Sequence, residues 1–257
     1  MDTARFYDDI AHYYDLIFQD WESSMSRQGA AIDQLIRREL GSEYQPPEIS
    51  VVDASAGIGT QALPLALKGF RVTARDISPD AIARLQREAA QRSLVIPSAV
   101  ADMRTLRSTV SEQFHVVLSF DNSLPHLLTD ADLLAAFRAF LSVLRPGGIV
   151  LCSVRDYERI DRAEVSTHPY GTRWRGGVEY RLRQDWIWRD VAHYDATMVI
   201  EEKRADEWRE VVRTTMTYYT VAIARLMELM NEAGFVGVTR DDAVLYQPVL
   251  IGHRKAD

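Results

Sequence analysis

The chain has 257 residues, 47% of them hydrophobic and 26% charged, with a formal net charge of -7. That length and apolar content suit one large domain, or a domain carrying an insertion, around a substantial core. The acidic balance, without any long Lys/Arg block, excludes the electrostatic footprint of a nucleic-acid binder, and no apolar run reaches the roughly 18 residues of a membrane span. The first residues, "MDTARFYDDIAHYYD", are acidic and aromatic where a secretory signal is basic and then apolar. A cytoplasmic protein acting on small molecules is expected, with no nucleic-acid and no membrane partner. Cys152 is the only cysteine, so neither an internal disulfide nor a cysteine-rich metal site is available, and no metal is expected.

In chain order, residues 1–48 read as a helical segment. Tyr7, Tyr13, Tyr14 and Trp21 give it an aromatic stripe that either packs or closes over a site as a lid. "YQPPEI" then leads stiffly into residues 49–155, where short apolar runs alternate with helical patterns: "ISVVDA", "TQALPLALKG", "FRVTARD", "PDAIARLQREAAQ", "SLVIPSAVAD", "FHVVLSF", "TDADLLAAFRAFLSVLRPGG" and "GIVLCSV". This alternation predicts an α/β fold, a parallel sheet with helices on both faces. In the longest helix Thr129 or Asp130 caps the start, Leu133, Phe137, Phe140, Leu141 and Leu144 recur at core spacing, and "RPGG" stops it. Residues 156–219 change style. "VEYRLRQDWIWRDV", "HYDATMVIEEKR" and "EWREVVRTTMTYYT" are rich in aromatic and β-branched residues and predict an antiparallel insertion after the fifth strand, on the substrate or oligomer side. Residues 220–257 supply a last helix and a closing strand pair.

The stretch "VVDASAGIGT" ends a strand in an acid and passes through Gly57 and Gly59, whose missing side chains let the backbone turn tightly and touch a ligand. It fits neither the strict Gly-x-Gly-x-x-Gly pattern nor a P-loop. Asp53, Asp76, Asp102 and Asp121 each follow a strand, at the sheet edge where open α/β folds bind ligands. One carboxylate offers two acceptor oxygens, which suits the paired hydroxyls of a ribose at Asp76. Any one of these acids alone reads as a cap or a solvated loop residue; four at corresponding strand ends favour a shared ligand.

"VVDASAGIGT", "VTARDISPDAI", "VADMRTL", "FHVVLSFDN" and "LRPGG" together resemble the ordered motifs of class I S-adenosylmethionine-dependent methyltransferases, with Ala54-Ser55-Ala56 departing from the commoner glycine-rich version. The resemblance implies a Rossmann-like seven-stranded sheet and S-adenosylmethionine as cofactor. It implies that the loop from Asp53 through Ala54 and Gly57 to Gly59 faces the methionine part, that Asp76 with Ile77 holds the ribose, and that Asp102 and Met103 frame the adenine, with Phe120 and Trp21 completing the cofactor site. Carboxylates suit a ligand bearing sulfonium and ammonium groups.

"YYDLIFQDWESSMSRQGAAIDQLI", "FDNSLPHLL" and "CSVRDYERI" are similar to glycine and sarcosine N-methyltransferases. This similarity implies that Arg27 clamps the methionine carboxylate, that Asn122 lies at the methyl-transfer site, that Arg155 holds an acceptor carboxylate and that His126 is a pocket histidine. Catalysis is thereby assigned to Asn122, Arg155 and His126, and acceptor binding to Tyr14, Asn122, Arg155 and Tyr218. An amine acceptor has to arrive neutral with its lone pair aimed at the methyl group, a role for the Asn122 carbonyl, and a planar guanidinium suits a small carboxylate. Plain readings stand beside these: a surface ion pair with Asp20 or Glu22 for Arg27, a salt bridge to Asp156 or Glu158 for Arg155, and a helix-start residue for His126. The leading expectation is methyl transfer to a small amine carrying a carboxylate. The alternatives are O- or C-methylation, and a noncatalytic S-adenosylmethionine-binding module; a homo-oligomer through the insertion is also open. A nucleic-acid amino-methylase is disfavoured, because "DNSLPH" lacks the Pro-Pro-aromatic pattern of that class.

Overall fold

A computed structural model describes residues 2–41, 44–160, 162 and 165–256. Seven strands form one sheet: β1 (Ser50–Asp53), β2 (Arg71–Asp76), β3 (Ser98–Val100), β4 (Phe114–Ser119), β5 (Leu144–Ser153), β10 (Val236–Asp241) and β11 (Val249–His253). Their order is β10-β11-β5-β4-β1-β2-β3, parallel from β3 across to β5, with β11 antiparallel to both of its neighbours. Strand order reverses between β1 and β4, so the crevice beyond their carboxyl ends is the place for a ligand.

The period-two alternation of each strand sorts its side chains between two layers. Val51, Val116 and Ile149 face α2 (Trp21–Leu40), α3 (Ala62–Leu67) and α4 (Pro79–Gln91). Their neighbours Val52, Val117 and Val150 face α5 (Asp130–Val143) and α6 (Ile223–Ala233), through Phe137, Phe140 and Leu229 among others. Thr129 caps α5 by accepting from the Asp132 N–H, whereas "RPGG" lies within β5 and not between helix and strand.

The insertion is a separate four-stranded antiparallel meander of β6 (Val165–Arg175), β7 (Val178–Trp188), β8 (His193–Arg204) and β9 (Glu207–Tyr219). Its inner face carries Tyr180, Leu182, Trp186, Tyr194, Met198 and Tyr218, and packs on Phe6 and Ile10 of α1 (Thr3–Ala11). The sequence predicted three of these strands. β6 escaped because "VSTHPYGTRWR" is half exposed along its length and breaks register between Pro169 and Gly171. α1 is fastened to α4 along its C-terminal half: Asp8 accepts from Ser78 Oγ and the Asp80 N–H, while Arg84 donates to the carbonyls of Ala11 and His12. Among the described residues, no helix is long and apolar enough to cross a membrane.

α2 packs closely on α3 because residue 29 has no side chain: a Cβ on Gly29 would sit 2.5 Å from Pro64 Cβ of α3. Gly29→Ala is therefore expected to push α2 off α3 and lower stability by about 1–3 kcal/mol, the usual range for overpacking. Urea denaturation checks this, and an unchanged midpoint would show that the two helices have slack.

Candidate functional site

Two cavities meet above the carboxyl ends of β1, β2 and β4. The first, about 240 Å³, is walled by the β1–α3 loop, the end of β2, the residues after β3 and the residues after β4. Of the sequence-predicted cofactor residues, Ala54, Gly57, Asp76, Ile77, Asp102, Met103 and Phe120 line it, as do Tyr14 and His126. The second cavity, about 160 Å³, lies under the meander and is lined by Asn122, Arg155, Tyr218, Tyr170, Gln184 and Gln247 among others. Tyr7, Tyr14 and Asp121 belong to both walls.

The β1–α3 loop turns at two glycines in the left-handed region, Gly57 (φ 50°) and Gly59 (φ 102°). Only Gly57 faces the cavity: a Cβ there would meet nothing within 4 Å, while its N–H donates to Asp76 Oδ2 at 2.7 Å. Gly59 turns inward onto Leu63 and Leu85, so its role is the turn and not ligand contact. Asp76 also accepts from the Ser78 N–H through Oδ1 at 2.9 Å. Each of its oxygens retains a lone pair, and burial raises its pKa in spite of these bonds. Asp102 is held on both oxygens by Arg104; its partial burial pushes its pKa up, and the Arg104 contacts outweigh that and hold it low.

Asp53 lies beneath the loop and not on the wall. It is 0% exposed, its Oδ1 accepts from the Ser55 N–H, and its Oδ2 has no partner. Burial is the main cause that lifts its pKa to about 8, with the Asp76 and Asp121 carboxylates adding to it.

Arg27 does not reach the site. Trp21, Met25, Gln28 and Ile32 mark the buried face of α2, and at 100° per residue Arg27 falls on the opposite, exposed side. The α2 side chain directed to the site is Gln28, whose Oε1 accepts from Gln61 Nε2 at 2.8 Å; Gln61 also donates to Asp121 Oδ2 at 2.9 Å. Trp21 is buried behind the wall and donates to Thr60 Oγ1, 3.1 Å away, so it shapes the cavity through Thr60.

After β4 the backbone makes two consecutive left-handed residues, Asp121 (φ 54°) and Asn122 (φ 65°). Both Asn122 side-chain atoms are engaged: Oδ1 accepts from the Arg155 N–H at 2.9 Å and Nδ2 donates to the Tyr157 hydroxyl at 2.8 Å. Asn122 therefore positions the end of β5, using one of the two lone pairs of its Oδ1. Arg155 donates to the Tyr194 hydroxyl at 3.2 Å and stands 4.8 Å from the Trp186 ring centre. Among the described residues no carboxylate pairs with it, because the neighbouring Asp156 is taken by Arg240 and Arg159.

His126 shares a 2.6 Å hydrogen bond with the Tyr7 hydroxyl through Nε2, and its buried Nδ1 has no partner. Burial, with the Arg155 charge adding, lowers its pKa to about 3, so the ring is neutral near pH 7. It walls the first cavity and is absent from the walls of the second. Tyr218 lies 4.5 Å from His126, ring to ring, and burial raises its hydroxyl pKa. The sequence reading assigned no role to Tyr170, Gln184 or Gln247, and gave Asp121 only as one of four strand-end acids around a shared ligand. Gln184 carries a readable signal, a polar residue in the inward row Tyr180, Leu182, Gln184, Trp186; Gln247 sits in a loop and carries none.

The comparisons agree with this geometry. Residues 51–148 match the family described as Methyltransferase domain. A glycine/sarcosine N-methyltransferase of Parasynechococcus marenigrum is 30% identical over 141 residues, covering 55% of this chain and 48% of the relative. Residues 51–148 are a class I S-adenosylmethionine-dependent methyltransferase domain. It is an enzyme domain, and its cofactor is S-adenosylmethionine. The fold extends the likeness along the chain: DesVI of Streptomyces venezuelae superposes with a TM-score of 0.75 over 100% of this chain and 99% of its own, at 20% identity. CalS10 of Micromonospora echinaspora, described as an amino pentose methyltransferase bound to S-adenosylmethionine, superposes with a TM-score of 0.75 over 95% of each chain at 16% identity. The chain spans about half the length of the first curated relatives it matches.

The walls of the first cavity fit that cofactor. A carboxylate stands at the end of β2, a side-chain-free backbone segment faces it, and the donor set is acidic, as a cationic nucleoside requires.

The Asp53 carboxyl gives a pH prediction. Its folded pKa is raised, so the folded chain keeps a proton that the unfolded chain releases near pH 4, and this contribution to stability is lost as pH rises toward about 8. The wild type should lose more stability between about pH 5 and pH 8 than Asp53→Asn in urea denaturation without cofactor. Equal losses would show that Asp53 is ionised in the fold.

Proposed function

We propose that the chain methylates the nitrogen of a small amine that carries a carboxylate, with the adenosyl donor in the first cavity and the acceptor in the second. The observation that carries this reading is Arg155: a guanidinium on the wall of a chamber rich in aromatic side chains, with no carboxylate partner among the described residues. A planar two-pronged donor held against Trp186 and Tyr194 is organised for a planar anion before that anion arrives.

S-adenosylmethionine supplies, when bound, a methyl group on a sulfonium centre. The chain's own contribution is placement, which for two well-oriented reactants lowers a barrier by up to about 7–11 kcal/mol. Arg155 anchors the acceptor at one end, while Tyr7, Tyr14 and Asp121 stand at the junction of the two cavities. The tyrosine rings present electron-rich faces to a nitrogen that gains positive charge. Asp121, whose pKa burial raises, offers the amine a carboxylate at the same junction. The meander and α1 supply much of the chamber's wall. Asp76 and the Gly57 backbone hold the ribose end, and Asp102 with Met103 the adenine. A cytoplasmic enzyme fits the single buried thiol and the acidic composition.

A second reading has a specific observation behind it. Arg155 also borders two more open cavities, of about 420 and 290 Å³, which an acceptor larger than an amino acid, such as an amino sugar carrying an anionic group, would enter.

Arg155→Ala should raise the acceptor KM by about tenfold to a hundredfold, the worth of a hydrogen-bonded charged contact, while binding of S-adenosylhomocysteine is retained. Steady-state kinetics with a methyl-labelled donor, run on a panel of small amino carboxylates and amino sugars, checks this. N-methyl product with an Arg155-dependent KM supports the reading; O-methyl or C-methyl product, or unchanged kinetics, contradicts it.

A further inference from the structure

Arg155 is not the only donor left open in the second chamber. Gln184 and Gln247 are each only 6% exposed, and both line it. Their amides are orientated by their neighbours. Trp186 Nε1 can only donate, and it donates to Gln184 Oε1 at 3.0 Å, which settles which end of that amide is oxygen. Ser153 Oγ accepts from the Asp121 N–H at 2.8 Å, so its own proton is free to go to Gln247 Oε1, 3.2 Å away. Both carbonyl oxygens are therefore occupied from behind, and among the described residues neither Nε2 has a hydrogen-bond partner. Both side chains line the cavities around Arg155, so two amide NH₂ groups are available there to a ligand that accepts.

The two glutamines come from different parts of the chain and flank the same arginine. Gln184, on β7, also borders the outer cavity that Arg155 shares with His168 and Trp186. Gln247, in the loop before β11, borders the one that Arg155 shares with Asp156 and Arg159. The chamber is thus edged by a guanidinium with an amide donor on either side, one supplied by the insertion and one by the closing strand pair.

We propose that Gln184 and Gln247, together with Arg155, form a three-donor receptacle for the carboxylate of the acceptor, and that the two glutamines set the preference for a carboxylate over a neutral group. This rests on the reading that Arg155 faces an anionic acceptor. The glutamines are binding residues and take no part in the methyl transfer. A glutamate at either position keeps the volume and still accepts from Trp186 or Ser153, but presents the acceptor's anion with a negative charge in place of an N–H.

The test is calorimetric titration of the full chain, saturated with S-adenosylhomocysteine, with glycine, sarcosine, β-alanine and glycinamide. For the wild type we expect saturable binding of at least one of the three carboxylates. For Gln184→Glu and Gln247→Glu singly we expect its Kd to rise at least tenfold, with glycinamide weakened less and the Kd of S-adenosylhomocysteine within twofold of wild type. Should either variant fail to fold, Gln→Met at that position, which also removes the donor, is read in its place with the same expectation. A carboxylate Kd that rises with Arg155→Ala and stays unchanged in the glutamine variants overturns this inference alone. No binding of any carboxylate by the wild type, or binding indifferent to Arg155→Ala, overturns the underlying reading and this inference with it.

Discussion

The architecture of the site depends on one strained turn. Asp121 and Asn122 both adopt left-handed backbone, a conformation that costs a non-glycine residue of the order of 1–3 kcal/mol unless its surroundings hold it. Here the surroundings do: Ser153 receives the N–H of both residues, through its hydroxyl and its carbonyl, and the Asn122 amide is tied to Arg155 and Tyr157. The effect is to point the Asp121 carboxylate between Gln61 on the donor side and Tyr246 on the acceptor side, and to hold Arg155 at the mouth of the second chamber. The two cavities are therefore registered against one another by four residues at the ends of β4 and β5, Asp121, Asn122, Ser153 and Arg155.

Around that turn the fold divides its labour. The sheet and its two helical layers are ordinary close-packed core, and they deliver acids to strand ends. The meander does the opposite: its inner face is a wall of aromatic side chains, and into it are set the few polar groups that face the second chamber, Gln184 among them. α1 joins the two halves, because its Tyr7 borders both cavities while Asp8 and Asp9 bond to α4 and β9 respectively.

Much of the sheet was legible in the sequence because its signals are periodic. The run "PDAIARLQREAAQ" folds as the helix its spacing predicts, with Ser78 as its cap, and the strand-end acids Asp76, Asp102 and Asp121 all stand on the donor wall. Motif order alone was less reliable where helical phase decides. Arg27 occupies the right place in the sequence and the wrong face of α2, and the buried polar residue one position on, Gln28, is what reaches inward. Asn122 lines the second chamber, and its side-chain carbonyl also accepts from the Arg155 N–H, a contact that depends on the path of β5 some thirty residues on and that no local pattern encodes. Gln247 belongs to an irregular loop, where neither period applies.

The central claim is that the two cavities form one reaction path crossing at Tyr7, Tyr14 and Asp121. A crystal structure with S-adenosylhomocysteine bound tests it most directly. The account predicts the adenine against Asp102 and Met103, the ribose on Asp76, and the sulfur turned toward the junction with the Arg155 chamber. A nucleoside bound elsewhere, or a sulfur directed away from that junction, would contradict it.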